Sequence, residues 1–566
     1  MPLVSKSFSD IITFSRGTNA TYFDSAGVLK YAPNNLLLQS EDFSTTWTVT
    51  GATVSANATT APSGATTADK LQEDASTGSH LVTQNITFTA TSYTASLFAK
   101  KAERDWVRVL FFDGTNTFSA FFNLDTGVVG TVTGSGATAA IQNSGNGWYR
   151  CSVTATVLAG SGSFAPRVAL ADNNSSYTGS AGSGIYIWGA QLNIGDLQSY
   201  YPTQATAYYG PRFDYNPSTL AAQGLLIEEQ RANLLTYSEA FDTTPNWVLT
   251  NSTITANATS APDGSLSADK WIANSGATSY LILQVVSKSA VSTTYSYSLF
   301  AKQAELSVFR LYFNDAATAA NRGEATFDLS SGTTSSVTRA GTFTNASANI
   351  QSVGNGWYRC SLVVTTGIET SVQCRIAPPG TVPTGDGTSG LFLWGAQVEA
   401  GAFPTSYIPT TTTALTRAAD VASVNTLSPW YNASEGTIYA ESTCFAPTSS
   451  FDPVAEIGTG VVAAVSVGRN LTDSRAFGAG ASLNQGSGTF PQNTLVKQAV
   501  GAQENNFALS TNGSAVVTDL ATSPMAAATT LFIGYKDINT ILNGHIRRIT
   551  YYPRRLSNAE LVAITS

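Results

Sequence analysis

From Trp148 onward the chain alternates between apolar and polar residues. Tyr149, Cys151, Val153, Ala155 and Val157 fall on one side of an extended backbone, and Trp148, Arg150, Ser152, Thr154 and Thr156 on the other. A period of two describes a strand with one face in a core. The Gly145-Asn146-Gly147 run just before it supplies a turn that needs positive φ. The same alternation returns at Tyr358, Cys360, Leu362 and Val364, behind Gly354-Asn355-Gly356. Ile185-Tyr186-Ile187-Trp188 is apolar on both faces and predicts a central strand. Short strands separated by Gly, Ser and Asn, with little helical periodicity, predict an all-β chain of sandwiches.

The two alternating stretches belong to a duplication. Gly-Asn-Gly-Trp-Tyr-Arg-Cys occurs letter for letter at 145–151 and at 354–360. Around it, Asn35-Leu36-Leu37 answers Asn233-Leu234-Leu235, Ser40-Glu41-Asp42-Phe43 answers Ser238-Glu239-Ala240-Phe241, and Ala68-Asp69-Lys70 answers Ala268-Asp269-Lys270. Trp188-Gly189-Ala190-Gln191 matches Trp394-Gly395-Ala396-Gln397. Repeats of this kind fix the domain reading before anything else. They give one module over residues 35–203 and its repeat over 233–410. The long spacing between equivalent strands suits a jelly roll better than a seven-strand immunoglobulin type. Residues 1–34 are a leader too small for its own core, which is expected to pack on a neighbour or dock the chain to something larger. Residues 204–232 and 411–432 are expected as short linkers between closely strung domains.

Residues 433–566 predict a third, different sandwich. Gly436 to Ala440, Leu531 to Gly534 and Gly544 to Tyr552 predict strands, and Phe507 to Gly513 predicts a strand entering an Asn-Gly turn. Ser557-Asn558-Ala559-Glu560 forms a capping box that opens a short terminal helix.

Composition narrows the function classes. Charged residues make up 12 % of the 566-residue chain, against about 25 % in typical soluble domains. The net charge of -8 and the scattered Lys and Arg exclude nucleic acid as a partner. No apolar run reaches the ~18 residues of a membrane span, and no signal peptide is visible. Four cysteines cannot form a disulfide framework at this length, so buried free thiols and folding in a reducing cytoplasm are expected. With His80 and His545 as the two histidines, a histidine-rich metal site cannot be built, and His545 is expected to be structural. Glu41-Asp42 and Glu228-Glu229 are adjacent pairs whose side chains diverge in a strand, so they are expected as solvated or capping residues. With no nucleophile elbow, phosphate loop or paired-carboxylate pattern, an enzyme is not expected.

The nine tryptophans are the material from which a sugar platform could be made. Trp47/Trp247, Trp148/Trp357 and Trp188/Trp394 recur in both modules, as core residues would. Trp106 and Trp271 do not recur, Val308 and Leu71 standing in the matching places. Residues that changed after duplication are candidates for a ligand surface, so Trp106 and Trp271 are the candidate glycan contacts.

The third domain resembles the concanavalin-like or laminin-G-like sandwich family, through Asn512-Gly513, Ile533-Gly534 and the run from Asn543 through Leu561. The paired modules look like carbohydrate-binding jelly rolls, through Asn-Leu-Leu-x-x-Ser-Glu-x-Phe and Trp-Gly-Ala-Gln. With Arg212-Phe213-Asp214-Tyr215-Asn216-Pro217, Gly224 to Glu229 and Thr416-Arg417-Ala418-Ala419-Asp420, the whole chain is similar to tail-fibre, head-fibre and spike proteins of bacteriophages. The resemblance implies a non-enzymatic virion adhesin, folded in the host cytoplasm and displayed on the particle. It would attach to host-surface polysaccharide and meet other virion proteins through its N-terminal segment. A homo-oligomer is implied, a trimer first. Related jelly rolls also suggest a structural calcium near Glu41 and Glu239. A purely structural fibre or collar component and a polysaccharide depolymerase are the alternatives.

Overall fold

Cys151, Val153 and Ala155 face a core from the strand Trp148–Thr156, as the alternation predicts. In the computed structural model this strand lies between Thr138–Gly145 and Ser92–Lys101, and Gly184–Ile194 follows as a central strand. The structure describes residues 6–380, 383–446, 451–459, 463–478, 482–486, 492–520, 527–537 and 540–566. The chain is all-β, built of antiparallel β-sandwiches, with helices at Phe8–Ile11 and Asn558–Thr565 among the described residues. It divides into two compact units, residues 31–210 and residues 1–30 with 211–566.

The unit 31–210 holds the first module. Its six-stranded sheet faces a second sheet built on Trp106–Phe112 and Thr117–Asn123, and Leu97, Phe111, Phe122, Cys151 and Ile187 fill the space between them. The other face of the six-stranded sheet is covered as well. Trp148 and Trp188 lie there with Phe98, and their indole N–H groups donate to Thr60 O and Thr67 Oγ1, both at 3.1 Å. Buried tryptophan usually keeps such a partner. Gly145, Asn146 and Gly147 all take positive φ, as the turn requires.

The second module repeats this down to single hydrogen bonds. Asp69 accepts from the backbone of Phe43 and Asn57, both at 2.9 Å. Asp269 accepts from Phe241 at 2.9 Å and Asn257 at 3.0 Å. All four cysteines are free and buried.

The third sandwich departs from the expected division into leader, linkers and domain. Its first sheet ends in Thr530–Ile533, but the order continues through Val421–Val424 to the leader strand Thr13–Ser15. Its second sheet ends in Gly544–Tyr552, but Ala222–Ile227 and then Phe213–Tyr215 extend it. Leader and linkers are therefore sheet strands. Residues 433–566 alone would end these sheets at Thr530–Ile533 and Gly544–Tyr552, and the leader and linker segments pair with both and end the sheets in short strands instead. Leu225, Ile227, Ala422 and Val424 also enter the core of this sandwich, with Phe8, Ile12 and Phe14 packed against it. The leader is thus engaged within its own chain. The capping box at Ser557 and Glu560 forms as predicted.

Five charged side chains hold these added strands, each with no exposed surface: Arg16, Arg212, Glu228, Arg417 and Asp420. Arg16 Nη1 lies 2.8 Å from Asp420 Oδ1, and Arg212 Nη1 lies 2.6 Å from Glu228 Oε2. Arg212 also reaches Asp420 Oδ2, and the backbone N–H of Glu228 donates to that oxygen at 2.9 Å. Burial alone would raise the Glu228 carboxyl, but Arg417 and Arg212 hold it well below the usual range. Burial pushes the Arg16 guanidinium down to about 10 against the pull of Asp420. Glu228 is therefore no solvated residue, as its sequence neighbourhood suggested. Its strand turns it inward, where three arginines meet it and Asp420.

Pro217 brings the linker turn against two other segments. A Cβ on Gly354 (φ +84°) would sit 2.9 Å from the Pro217 carbonyl oxygen, and one on Gly27 (φ +75°) would sit 2.7 Å from it. Glycine is required at both for closeness and for left-handed backbone.

Candidate functional site

In the unit formed by residues 1–30 and 211–566, a cleft of about 520 Å³ opens between the repeated module and the third sandwich. That volume lies within the ~300–1,000 Å³ of small-molecule sites. One wall is the outward face of the strand Thr344–Ser352, where alternation exposes Ser347, Asn349 and Gln351 while Ala346, Ala348 and Ile350 turn to the core. Facing it are Asp214, Tyr215 and Gln223 of the linker hairpin, Phe403 before the second linker, and Phe445, Asn493 and His545 of the third sandwich.

The hairpin is pinned in place. Ser218 Oγ donates to Ser352 O at 2.8 Å, and Asp214 Oδ1 accepts from Phe23 N at 2.8 Å. Asp214 Oδ2 lies 2.8 Å from His545 Nε2, whose Nδ1 is 3.3 Å from Thr443 Oγ1, and Phe445 packs edge-on against the ring at 5.3 Å. On the floor, Glu228 accepts from Ser406 N at 2.7 Å and Ser406 Oγ at 2.6 Å. Arg359 lies over Phe300 at 5.6 Å and donates to Ser298 Oγ at 3.1 Å, and burial lowers its pKa.

Two sets of groups stay free for a ligand. The side-chain amides of Gln223, Asn349, Gln351 and Asn493 make no hydrogen bond to the described residues and can read hydroxyls in either sense. Phe23, Tyr215, Phe403 and Phe445 are half-buried, with ring surface at the walls. Both carboxylates at the cleft are committed, Asp214 to His545 and Glu228 to guanidinium groups.

The candidates drawn from sequence lie elsewhere. Trp271 is 3 % exposed, stands in the core of its module and meets Tyr280 at 5.3 Å, so it offers a sugar no face. Its strand points it inward, as Leu71 points in the other copy; the substitution after duplication was a packing change. Trp106 is half-buried on the outward face of its sheet in the first module, its ring against Gly130, where a Cβ would come within 2.8 Å. His545, expected to be structural, lines the cleft. Its rarity in the chain was a signal, but its partner Asp214 lies 331 residues away.

The glutamates considered for calcium are hydrogen-bonded to tyrosines. Tyr200 donates to Glu41 Oε1 and Tyr407 to Glu239 Oε1, both at 3.1 Å. Among the described residues no group of three or more His, Cys, Asp and Glu side chains could hold a metal ion. Burial first, and the nearby Asp263 second, push the Glu239 carboxyl up to about 8. The folded state then holds a proton that the unfolded chain releases, so stability falls as pH rises from 4.5 toward about 8. Glu239→Gln should remove roughly 1–2 kcal/mol of that loss, a discounted figure for a carboxyl with some solvent access. Urea unfolding across that pH window measures it; a parent chain with a flat profile would contradict the assignment.

No family model matches the chain, and no curated protein matches it. Among solved structures it is similar to the CBM22-1–CBM22-2 tandem domain of Paenibacillus barcinonensis Xyn10C, at 13 % identity and a TM-score of 0.20, over 65 % of this chain and 98 % of that one. It is similar to domains LG4-5 of the mouse laminin alpha1 chain at 10 % identity and 0.17, over 50 % and 88 %. Trypanosoma rangeli sialidase gives 9 % and 0.21, over 98 % of both chains. At such identities and scores these likenesses assign this chain neither ligand nor activity.

Proposed function

We propose that the chain is a non-enzymatic attachment protein that holds a neutral oligosaccharide of a host surface in the cleft between the repeated module and the third sandwich. One observation carries this reading: four uncommitted amides converge with four half-buried aromatic rings in a cavity of about 520 Å³. Sugar rings stack on aromatic faces, while amides pair with hydroxyls. The committed state of Asp214 and Glu228 supports binding without hydrolysis, since glycosidases need two available carboxyl groups ~5–10 Å apart. The sequence resemblance of Arg212 to Pro217, Gly224 to Glu229 and Thr416 to Asp420 to bacteriophage fibre and spike proteins supports reading this attachment as a virion-surface role. Several copies, a trimer first, would multiply weak single-site affinity by avidity. Trp106 stays a secondary contact in this reading, on the first module.

A glycan array probed with the intact chain, followed by titration of the best neutral ligand, tests it. Asn349→Ala and Tyr215→Ala should each weaken binding by roughly tenfold, and the ligand should keep its chain length on prolonged incubation. Binding untouched by either variant would reject the cleft. No glycan bound at all would favour a purely structural component, and shortened chains a depolymerase.

A further inference from the structure

The second sheet of the repeated module carries a groove of about 310 Å³ on its outward face. Arg310, Tyr312 and Asn314 line it from the strand Val308–Asp315, Arg322 and Glu324 from the next strand, and Arg375 from Ser371–Ala377. Register brings them together. Tyr312 lies opposite Glu324 on one side and Arg375 on the other, and Asn314 lies opposite Arg322. Three guanidinium groups thus face one carboxylate in a chain whose net charge is -8.

Two of the arginines are held in place. Arg310 Nε donates to Pro378 O at 2.7 Å, and its guanidinium lies 4.7 Å from the centre of the Tyr312 ring. Arg375 Nε donates to Gln373 Oε1 at 2.9 Å. Arg322 is 46 % exposed and makes only a 3.7 Å ion pair with Glu324, so its N–H fork is open to a ligand. A planar guanidinium fork matches a carboxylate with two parallel hydrogen bonds. Glu324 accepts from Thr338 Oγ1 at 3.1 Å and from Arg310 Nη1 at 3.4 Å, and so offsets one of the three positive charges, which suits a ligand of few charges over a dense row of phosphates or sulfates.

The first module keeps part of this chemistry, with Arg108 at the place of Arg310 and Arg167 opposite it. Its register places Leu110 opposite Ser119 and Phe112 opposite Thr117, where the repeat has Tyr312 with Glu324 and Asn314 with Arg322. Leu110 is 4 % exposed, and among the described residues Arg108 and Arg167 on that face have no partner carboxylate or open fork of the kind that Glu324 and Arg322 supply in the repeat. The set of three arginines around one carboxylate belongs to one copy.

We infer that this groove is a second binding site, which takes the carboxylate of an acidic saccharide of the uronic-acid class. It is separate from the cleft and does not depend on a ligand there. Titration of the intact chain with an oligogalacturonate, its methyl ester and inorganic sulfate tests the inference. The oligogalacturonate should bind, with affinity that falls as salt rises, and the uncharged ester should bind roughly tenfold more weakly. Arg322→Gln combined with Arg375→Gln should weaken the acidic ligand by about the same factor, and Asn349→Ala in the cleft should not change it. Both arginines have solvent access, and unchanged near-ultraviolet dichroism would confirm that the variant folds. Equal binding of acid and ester, a double variant that binds as the parent does, no binding of the acid, or sulfate competing as well as the saccharide would each overturn it.

Discussion

Asp420→Ala should destabilise the unit that holds residues 211–566 by roughly 3–5 kcal/mol, the usual cost of removing one partner from a buried ion pair. The variant leaves Arg16, Arg212 and Arg417 with Glu228 as the one remaining acid of the five-residue cluster, with no solvent to take up the excess charge. It also strips the Glu228 N–H of its acceptor. The control is Asp125→Ala, which breaks the Lys101–Asp125 pair, whose side chains are 48 % and 50 % exposed. Exposed pairs contribute ~1 kcal/mol or less. Urea unfolding followed by tryptophan fluorescence should show one transition displaced strongly by Asp420→Ala and none displaced comparably by Asp125→Ala. Similar small displacements in both variants would remove the cluster from its role in holding the added strands.

An effect of similar size is expected at the twin tryptophans. Trp357 and Trp148 are each 2 % exposed, and each donates through its indole N–H to a backbone carbonyl at 3.1 Å. Truncation to alanine empties a large volume that rigid sheet cannot refill, at about 3–5 kcal/mol per site. Trp148→Ala acts in the unit 31–210, and Trp357→Ala in the other. Each variant should lower one of two unfolding transitions and leave its companion in place. Multi-unit chains do not unfold as a single two-state system, so the transitions must be fitted separately. If both variants moved the same transition, the division into two units would be wrong.

The parts of the fold that local pattern encodes were legible. Alternation after Trp148 placed Cys151 and Val153 in the core, Gly145-Asn146-Gly147 marked its turn, and Ser557 with Glu560 marked the last helix. What escaped was assembled over long separations. Thr13–Ser15 and Ala222–Ile227 are short, and nothing beside them tells that their partners lie at Val421–Val424 and Gly544–Tyr552. The one available signal was charge. In a chain with 12 % charged residues, Arg16, Arg212, Glu228, Arg417 and Asp420 all fall in stretches read as leader or linker. For the candidate site, comparison of the modules was the right instrument applied to the wrong residue type. Trp271 differs from Leu71 inside a core, where size alone matters. Tyr312, Glu324 and Arg322 differ from Leu110, Ser119 and Thr117 on an outward face, where a change alters what the surface can hold. Burial separates these cases, and sequence alternation alone did not locate it.

The bond from Arg16 to Asp420 spans 404 residues, and it sets a timetable for the ribosome. At roughly 5–20 residues per second, the leader waits about 20–80 s before its partner strand has been made. The earlier module can finish during that time, while Phe8, Ile12 and Phe14 remain without their cover. A pause, a truncated message or a shortage of chaperone in that interval leaves an apolar N-terminus and an unfinished sheet in the same nascent chain. Yield in a cell would then depend on how fast translation reaches residue 420 as much as on how stable the finished fold is.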